Sequence, residues 1–387
     1  MRIGIDARTI LNPEKGDAIG VGHYTYQLIR HLLEIDKKNE YVLFFDFHVR
    51  EKDVKKFSSS NVKVRFYPFS DYKKYLPGFY NEILGVATLN KEKLDVLHSP
   101  SHMSRIPTGY DGKMVVTIND LTALKVPDVL PKVSIVHSIA LLNLMTSKAD
   151  KIIAVSQSIK NDIVKNFKHT EEKTEVVHSG FDSRLFEEYE SVDGEKILGK
   201  YGIKDRYILF LGTLEPVKNI VRLLEAFRIF KDNLKKEKIN YDYKLVMAGK
   251  RGWLAKEYKQ IAKDLGIHKN VIFTGYVIGD ELVPLFRNAE FFVLPSLYEG
   301  FGSTILEAFA TDTPVLASDV SSISEIAGDA AVLVNPIDTQ QIADNMMKLA
   351  KDEKLRNELR MKGREQLKKF NWEKCARETL AVYESLV

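Results

Sequence analysis

A chain of 387 residues is long enough for two domains with separate cores. Its 44% hydrophobic and 28% charged residues are ordinary for a globular protein and exclude a fibrous or disordered class. The formal charge of +4 leaves no basic footprint for nucleic acid. The single cysteine, Cys375, excludes an internal disulfide and a cysteine-rich metal site and fits a reducing cytosol. No apolar run approaches the ~20 residues of a membrane span, so membrane contact would have to be peripheral.

Taken in chain order, Met1-Arg2-Ile3-Gly4-Ile5-Asp6 reads as the strand that begins the fold, over 3–7, and not as a signal peptide. Gly20-Val21-Gly22 then opens a helix with Tyr24, Leu28, His31, Leu32 and Ile35 on one face. Strand, G-x-G, helix is the layout of a ligand-facing βα unit, though the third glycine of a dinucleotide site is absent. Further strand-like runs at 41–45, 62–67, 96–98, 115–118 and 152–155 alternate with helical or polar segments, which makes an α/β pattern. Aromatics interleave with lysines from 66 to 80, a composition that suits an anionic membrane surface, an acceptor, or a loop packed on its own domain.

Asn119 and Asp120 stand at the carboxyl end of the run 115–118, where open α/β sheets bind ligands. Asparagine can hold a hydroxyl but cannot take a proton at neutral pH, and a strand-end aspartate serves as often as a cap. His98 and His102 follow another strand with no partner at metal-ligand spacing, which is the pattern of structural histidines. Charged residues 187–200 read as a hinge, after which the α/β rhythm restarts at 207–211. The segment Gly212-Thr213-Leu214-Glu215-Pro216-Val217-Lys218-Asn219 leads into a helix expected to turn Val221, Leu224 and Phe227 inward. A lysine near such a helix start can neutralise a phosphate. Strands at 244–248, 271–274, 314–317 and 331–334 complete the second half, with Gly275-Tyr276-Val277 as a turn after the second of these.

The chain's densest signal is Phe291-Phe292-Val293-Leu294 followed by Pro295-Ser296-Leu297-Tyr298-Glu299-Gly300-Phe301-Gly302-Ser303-Thr304-Ile305-Leu306-Glu307-Ala308. It reads as a buried parallel strand, a two-glycine loop and a helix. Free N–H groups and a partial positive charge at that helix start suit a pyrophosphate, while Glu299 and Glu307 would face hydroxyl-rich parts of the same ligand.

Glu-Gly-Phe-Gly-x-x-x-Leu-Glu-Ala resembles the signature of glycosyltransferase family 4, retaining enzymes of GT-B fold. The resemblance covers nearly the whole chain and is strongest from Tyr207 to Pro336. It implies an α/β architecture of two Rossmann-like domains facing across a cleft. An acceptor domain would span 1–186 and a donor domain 201–370, with the last helix, 372–387, crossing back to the first. It assigns Glu299 to the donor sugar, Glu307 to the ribose, Lys218 to the pyrophosphate and the Tyr276-Val277 turn to the nucleobase. Gly20, Gly22, Thr213, Gly300, Phe301, Gly302, Ser303, Thr304 and Ile305 complete the donor set, and Glu299, Lys218, Asn119 and Asp120 the catalytic set. No metal or cofactor is implied, since helix N-termini and Lys218 can carry the leaving diphosphate's charge.

The chain departs from the family pattern in several places. Many relatives carry histidine at Asn119, arginine at His23, Thr213 and Val217, and glycine at Asp312. One cation, Lys218, is therefore expected to do the work of two, with Lys250 and Arg251 as substitutes. The branch resembled is rich in mannosyltransferases of surface polysaccharide synthesis, so GDP-mannose is the first donor expected and a UDP-sugar the second. The acceptor would be a glycan or lipid-linked sugar. The protein would be cytoplasmic, with any peripheral contact to the inner face of the cell membrane through 66–80. The rival readings are a nucleotide-sugar epimerase and a non-catalytic nucleotide-sugar binder.

Overall fold

The computed structural model describes residues 1–11, 20–67, 78–181, 193–250, 252, 255–277 and 279–387. The chain divides into two units: Met1–Leu124, Pro131–Gly180 and Phe370–Val387 make the first, Lys125–Leu130 and Phe181–Lys369 the second. Each is built on a parallel sheet. The first has seven strands: β1 (Arg2–Asp6), β2 (Glu40–Asp46), β3 (Val62–Tyr67), β4 (Val96–Ser99), β5 (Met114–Ile118), β6 (Lys151–Ala154) and β7 (Thr174–Val176), in spatial order 3-2-1-4-5-6-7. The second has six: β8 (Tyr207–Leu211), β9 (Lys244–Ala248), β10 (Val271–Gly275), β11 (Phe291–Leu294), β12 (Val315–Ser318) and β13 (Ala331–Val334), in order 10-9-8-11-12-13. This is the two-Rossmann, GT-B architecture. The strand order reverses between β1 and β4 in one sheet and between β8 and β11 in the other, and such switch points open a crevice at the carboxyl ends of the strands.

The strands are apolar runs because both faces are covered. Ile208, Leu209, Phe210, Leu245, Val246, Phe291 and Phe292 are fully buried. In the first unit the last helix, Trp372–Glu384, supplies part of that cover. Its Trp372 stacks on His31 at 6.2 Å between centroids and tilts against Tyr24 at 5.7 Å, both on the helix Gly20–Ile35. Tyr383 Oη lies 2.6 Å from His98 Nδ1, whose Nε2 is 2.8 Å from Thr117 Oγ1. Burial pushes His98 down to about 3, so it is a neutral core residue with both nitrogens used.

Several expectations need correction. Residues 194–200 are no hinge: Gly194–Lys200 is a helix capped by the Asp193 side chain, and the unit boundary falls at Gly180 and Phe181. β7 has only three residues, too short to leave a pattern in the sequence. Val221 is 40% exposed, because the buried stripe of Ile220–Lys236 runs through Ile220, Leu223, Leu224, Phe227, Phe230 and Leu234. Leu224 and Phe227 lie in it as expected, and only its first residue differs, Ile220 in place of Val221. Of the segment 66–80, residues 68–77 lie outside the described residues, while Tyr67 is buried under the Arg8 guanidinium at 4.4 Å. No helix of the described residues is long and apolar enough to cross a membrane.

Asp312 takes the left-handed conformation expected of glycine, with φ at 55°. Two arginines of the helix Glu353–Leu367 hold it there. Arg364 Nε and Nη2 bond its carboxylate at 2.6 and 2.5 Å, and Arg360 Nε bonds its carbonyl at 3.0 Å. A short polar side chain tolerates this backbone better than most, and the fork of Arg364 offsets part of the strain.

Candidate active site

At the β8–β11 switch point the loops are tied by main-chain bonds. Gly212 N donates to Ala248 O at 3.0 Å, Leu214 N to Lys250 O at 3.0 Å and Gly249 N to Gly275 O at 2.8 Å. Only glycine permits the first approach, since a Cβ on Gly249 would stand 1.9 Å from the Gly212 carbonyl oxygen. After a single 3-10 turn, Pro216–Lys218, Asn219 adopts a left-handed φ of 59° and starts the helix Ile220–Lys236. Its Nδ2 donates to Pro295 O at 3.0 Å and Pro336 O at 2.7 Å, while Leu297 N donates to Val217 O at 2.8 Å. One asparagine thus fastens the loops after β8, β11 and β13.

These ties fix Lys218 against Glu299. Lys218 Nζ donates to Glu299 Oε1 at 2.6 Å, and Ser296 Oγ donates to the same oxygen at 2.7 Å. The glutamate's main chain is clamped as well: its N–H donates to Ser321 Oγ at 3.0 Å and its carbonyl accepts from Ser322 Oγ at 2.8 Å. Ser321 has a φ of 51°, a conformation costing on the order of 1 kcal/mol or more in a non-glycine residue, which the clamp sustains. Both members of the ion pair are partly exposed, at 18% and 15% of the side chain, so an incoming ligand can reach them.

Beside this pair begins the helix Ser303–Ala310. Gly302 is its N-cap with φ at 88°, and no described side chain caps it. Ile305 N turns back to Gly302 O at 3.0 Å, which leaves the N–H groups of Ser303 and Thr304 at the exposed end, with Ser303 itself exposed. Gly300 and Phe301 are buried and Ile305 anchors the helix in the core. Glu307, one turn further in, is half-buried, and its enclosed Oε2 has no hydrogen-bond partner among the described residues. Burial pushes its carboxyl up to about 7. An orphaned, enclosed carboxylate oxygen is an unmet acceptor, and ribose hydroxyls are donors that would meet it.

The turn after β10 leaves Tyr276 43% exposed with Lys250 Nζ 4.9 Å from its ring centroid, while Val277 is buried. Lys250 therefore faces an aromatic ring, and Arg251 lies outside the described residues. Thr213 is half-buried beside Gly212. In the first unit, Asn119 Nδ2 donates to Pro100 O at 2.8 Å. Both Asp120 oxygens accept from Thr122, from its N at 2.7 Å and its Oγ1 at 2.9 Å, so Asp120 caps the short helix Thr122–Lys125. Gly20 has a φ of 70° and is exposed, and Gly22 is half-buried in the first helical turn.

The structure thus brings Lys218, Glu299 and the open helix start together in one unit. Sequence reasoning missed Ser296, Asn219, Ser321 and Ser322, which position Glu299 and its loop. Only Asn219 carried a signal, being an asparagine at a loop-to-helix junction, where left-handed backbone is common.

Two family models match the chain: Glycosyltransferase Family 4 over residues 19–185 and Glycosyl transferases group 1 over residues 193–366. The O-antigen chain mannosyltransferase B of Escherichia coli is 26% identical over 382 residues, 97% of this chain and 98% of that protein. The serotype-specific mannosyltransferase WbdA of the same organism is 32% identical over 236 residues, 59% of this chain, and this chain covers 28% of WbdA's length. Among solved structures, HepE of Anabaena in complex with UDP and glucose matches with a TM-score of 0.73 at 16% identity, covering 99% of both chains. Two matched models spanning both units, a full-length relative and the shared fold agree: the chain belongs to the group 1, family 4 glycosyltransferases.

Proposed function

We propose that this glycosyltransferase moves mannose from GDP-mannose to a hydroxyl of a glycan or lipid-linked acceptor, with retention and without a metal. The observation that carries the donor side is the Lys218–Glu299 pair at a helix start that no described side chain caps, with the Glu307 oxygen, unpartnered among the described residues, one turn in. A diphosphate meets the N–H groups and Lys218, and the charge that builds on it as the glycosidic bond breaks is taken up there. The ribose donates to Glu307. The sugar takes Glu299, whose Oε1 is already engaged by Lys218 and Ser296, through its other oxygen.

Retention follows from front-face attack with the leaving phosphate as base. Asn119 donates its amide to Pro100 and is no proton acceptor, so such a route asks nothing of it that it lacks. Mannose is favoured by the names of the two mannosyltransferase relatives. A second reading, UDP-glucose as donor, is favoured by the ligands of HepE. We further read the protein as cytoplasmic. The experiment is a thermal-shift screen against nucleotide sugars followed by turnover assays. GDP-mannose should stabilise most and yield a mannoside of retained configuration. Consumption of donor to an isomerised sugar, or tight binding with no turnover, would replace transfer by epimerisation or by simple binding.

A further inference from the structure

In the first sheet the switch point lies between β1 and β4, and the loops that follow these strands are fastened to one another. Arg8, buried and held by Asp6 through Nε at 2.9 Å and Nη2 at 2.8 Å, donates from Nη2 to Arg105 O at 3.0 Å. Asn119 at the end of β5 holds the same loop at Pro100 O. Within it, Ser99 Oγ donates to Ser101 O at 2.9 Å and Met103 N to Ser101 Oγ at 3.1 Å. Arg105 donates from Nη2 to Glu82 Oε1 at 2.6 Å, while its Nε has no hydrogen-bond partner among the described residues.

His102 is the loop's histidine, and its ring is enclosed. It is 7% exposed, its Nδ1 is enclosed, and that nitrogen has no hydrogen-bond partner among the described residues. Its counterpart His98, four residues earlier in β4, uses both nitrogens within the core. A purely structural histidine is expected to resemble His98. An imidazole left unmet on a rigid loop, at the crevice where sheets of this order take ligands, has the form of an unfilled binding position. Burial lowers its pKa to about 4, so at neutral pH the ring is uncharged and offers one donor and one acceptor, as a sugar hydroxyl requires.

From this we infer that His102 is an acceptor-binding residue, hydrogen-bonding a hydroxyl of the incoming sugar. The inference rests on the glycosyl-transfer reading above and adds the residue that seats its second substrate.

Two variants test it, with GDP-mannose as donor and octyl α-mannoside as acceptor probe. His102→Phe keeps the ring's bulk and removes the hydrogen bond, whereas His102→Gln keeps a hydrogen-bonding group. His102→Phe should raise the acceptor KM roughly ten- to a hundredfold while inhibition by GDP stays as in the wild type, with His102→Gln in between. In spectra of protein with 15N-labelled histidine, the resonance lost in His102→Gln should shift on titration with octyl α-mannoside. An acceptor KM for His102→Phe within twofold of wild type would show that the ring only fills space and would overturn the inference. A parallel loss of GDP affinity would overturn it too, by tying His102 to the donor. If the resonance shifts but no transfer occurs, His102 still binds the sugar and it is the transfer reading that fails.

Discussion

The two sheets share a strand order and differ in what they put at its reversal. At the β8–β11 switch a lysine and a glutamate face each other partly exposed, beside a helix start that nothing described caps. At the β1–β4 switch the charges are an aspartate and an arginine, each 2% exposed and spent on each other and on the Arg105 carbonyl. A buried pair of this kind neutralises itself and serves as a strut, whereas a half-open pair can exchange partners when an anion arrives. The shared strand order therefore carries a half-open ion pair at one reversal and a buried, self-neutralised pair at the other. The difference lies in side chains and caps, not in the fold.

The largest effect is expected at Lys218. If its charge stabilises the leaving diphosphate, Lys218→Ala should lose on the order of 10²–10³ in turnover, as when one oxyanion-stabilising donor is removed. Lys218→Arg should recover only part, because a planar fork does not occupy the point of an ammonium. Steady-state transfer by both variants checks this, and near wild-type turnover in Lys218→Ala would hand the role to Lys250 or Arg251.

Glu307 sharpens the contrast through pH. Glu307→Ala should weaken nucleotide binding by ~1.5–3 kcal/mol if the carboxylate accepts from ribose. Because burial raises its pKa to about 7, the carboxylate is ionised above that value and protonated below it. Nucleotide affinity should therefore fall as the pH drops from 8 to 6, and Glu307→Gln should flatten that dependence. Stability of the ligand-free protein moves the other way. The folded chain holds this proton more tightly than the unfolded one, so stability falls as pH rises from about 4.5 through about 7. Calorimetric titration and thermal melts across that range measure both slopes.

The smallest effect is expected at Asp312. Asp312→Gly relieves a left-handed backbone but gives up an exposed ion pair with Arg364, two small effects of opposite sign. The melting temperature should hardly move. Asp312→Ala loses the pair and keeps the strain, so it should melt lower than either.

Much of this was legible beforehand where a local pattern reports a local structure. Phe291–Leu294, the two glycines and the helix with Glu307 lie where the residues implied, because apolar runs and glycines constrain the backbone directly. The first buried residue of Ile220–Lys236 was not legible, since Ile220 and Val221 are equally apolar and only packing selects between them. The Lys218–Glu299 contact joins residues 81 apart, and its supports Ser296 and Ser321 are residue types found in any loop. Likewise, what separates His98 from His102 is whether each finds a partner, which depends on Tyr383 arriving 285 residues later.

That a diphosphate meets Lys218 beside Glu299, where the glutamate's charge competes for the lysine, is tested most directly by calorimetric titration of GDP and UDP into wild type, Glu299→Gln and Lys218→Ala. Removing the glutamate's charge releases the lysine, so Glu299→Gln should bind the preferred diphosphate a few-fold more tightly while its transfer rate falls. Lys218→Ala should bind it more weakly. Equal affinities in all three proteins would contradict the account, since the pair would then stand outside the diphosphate's reach.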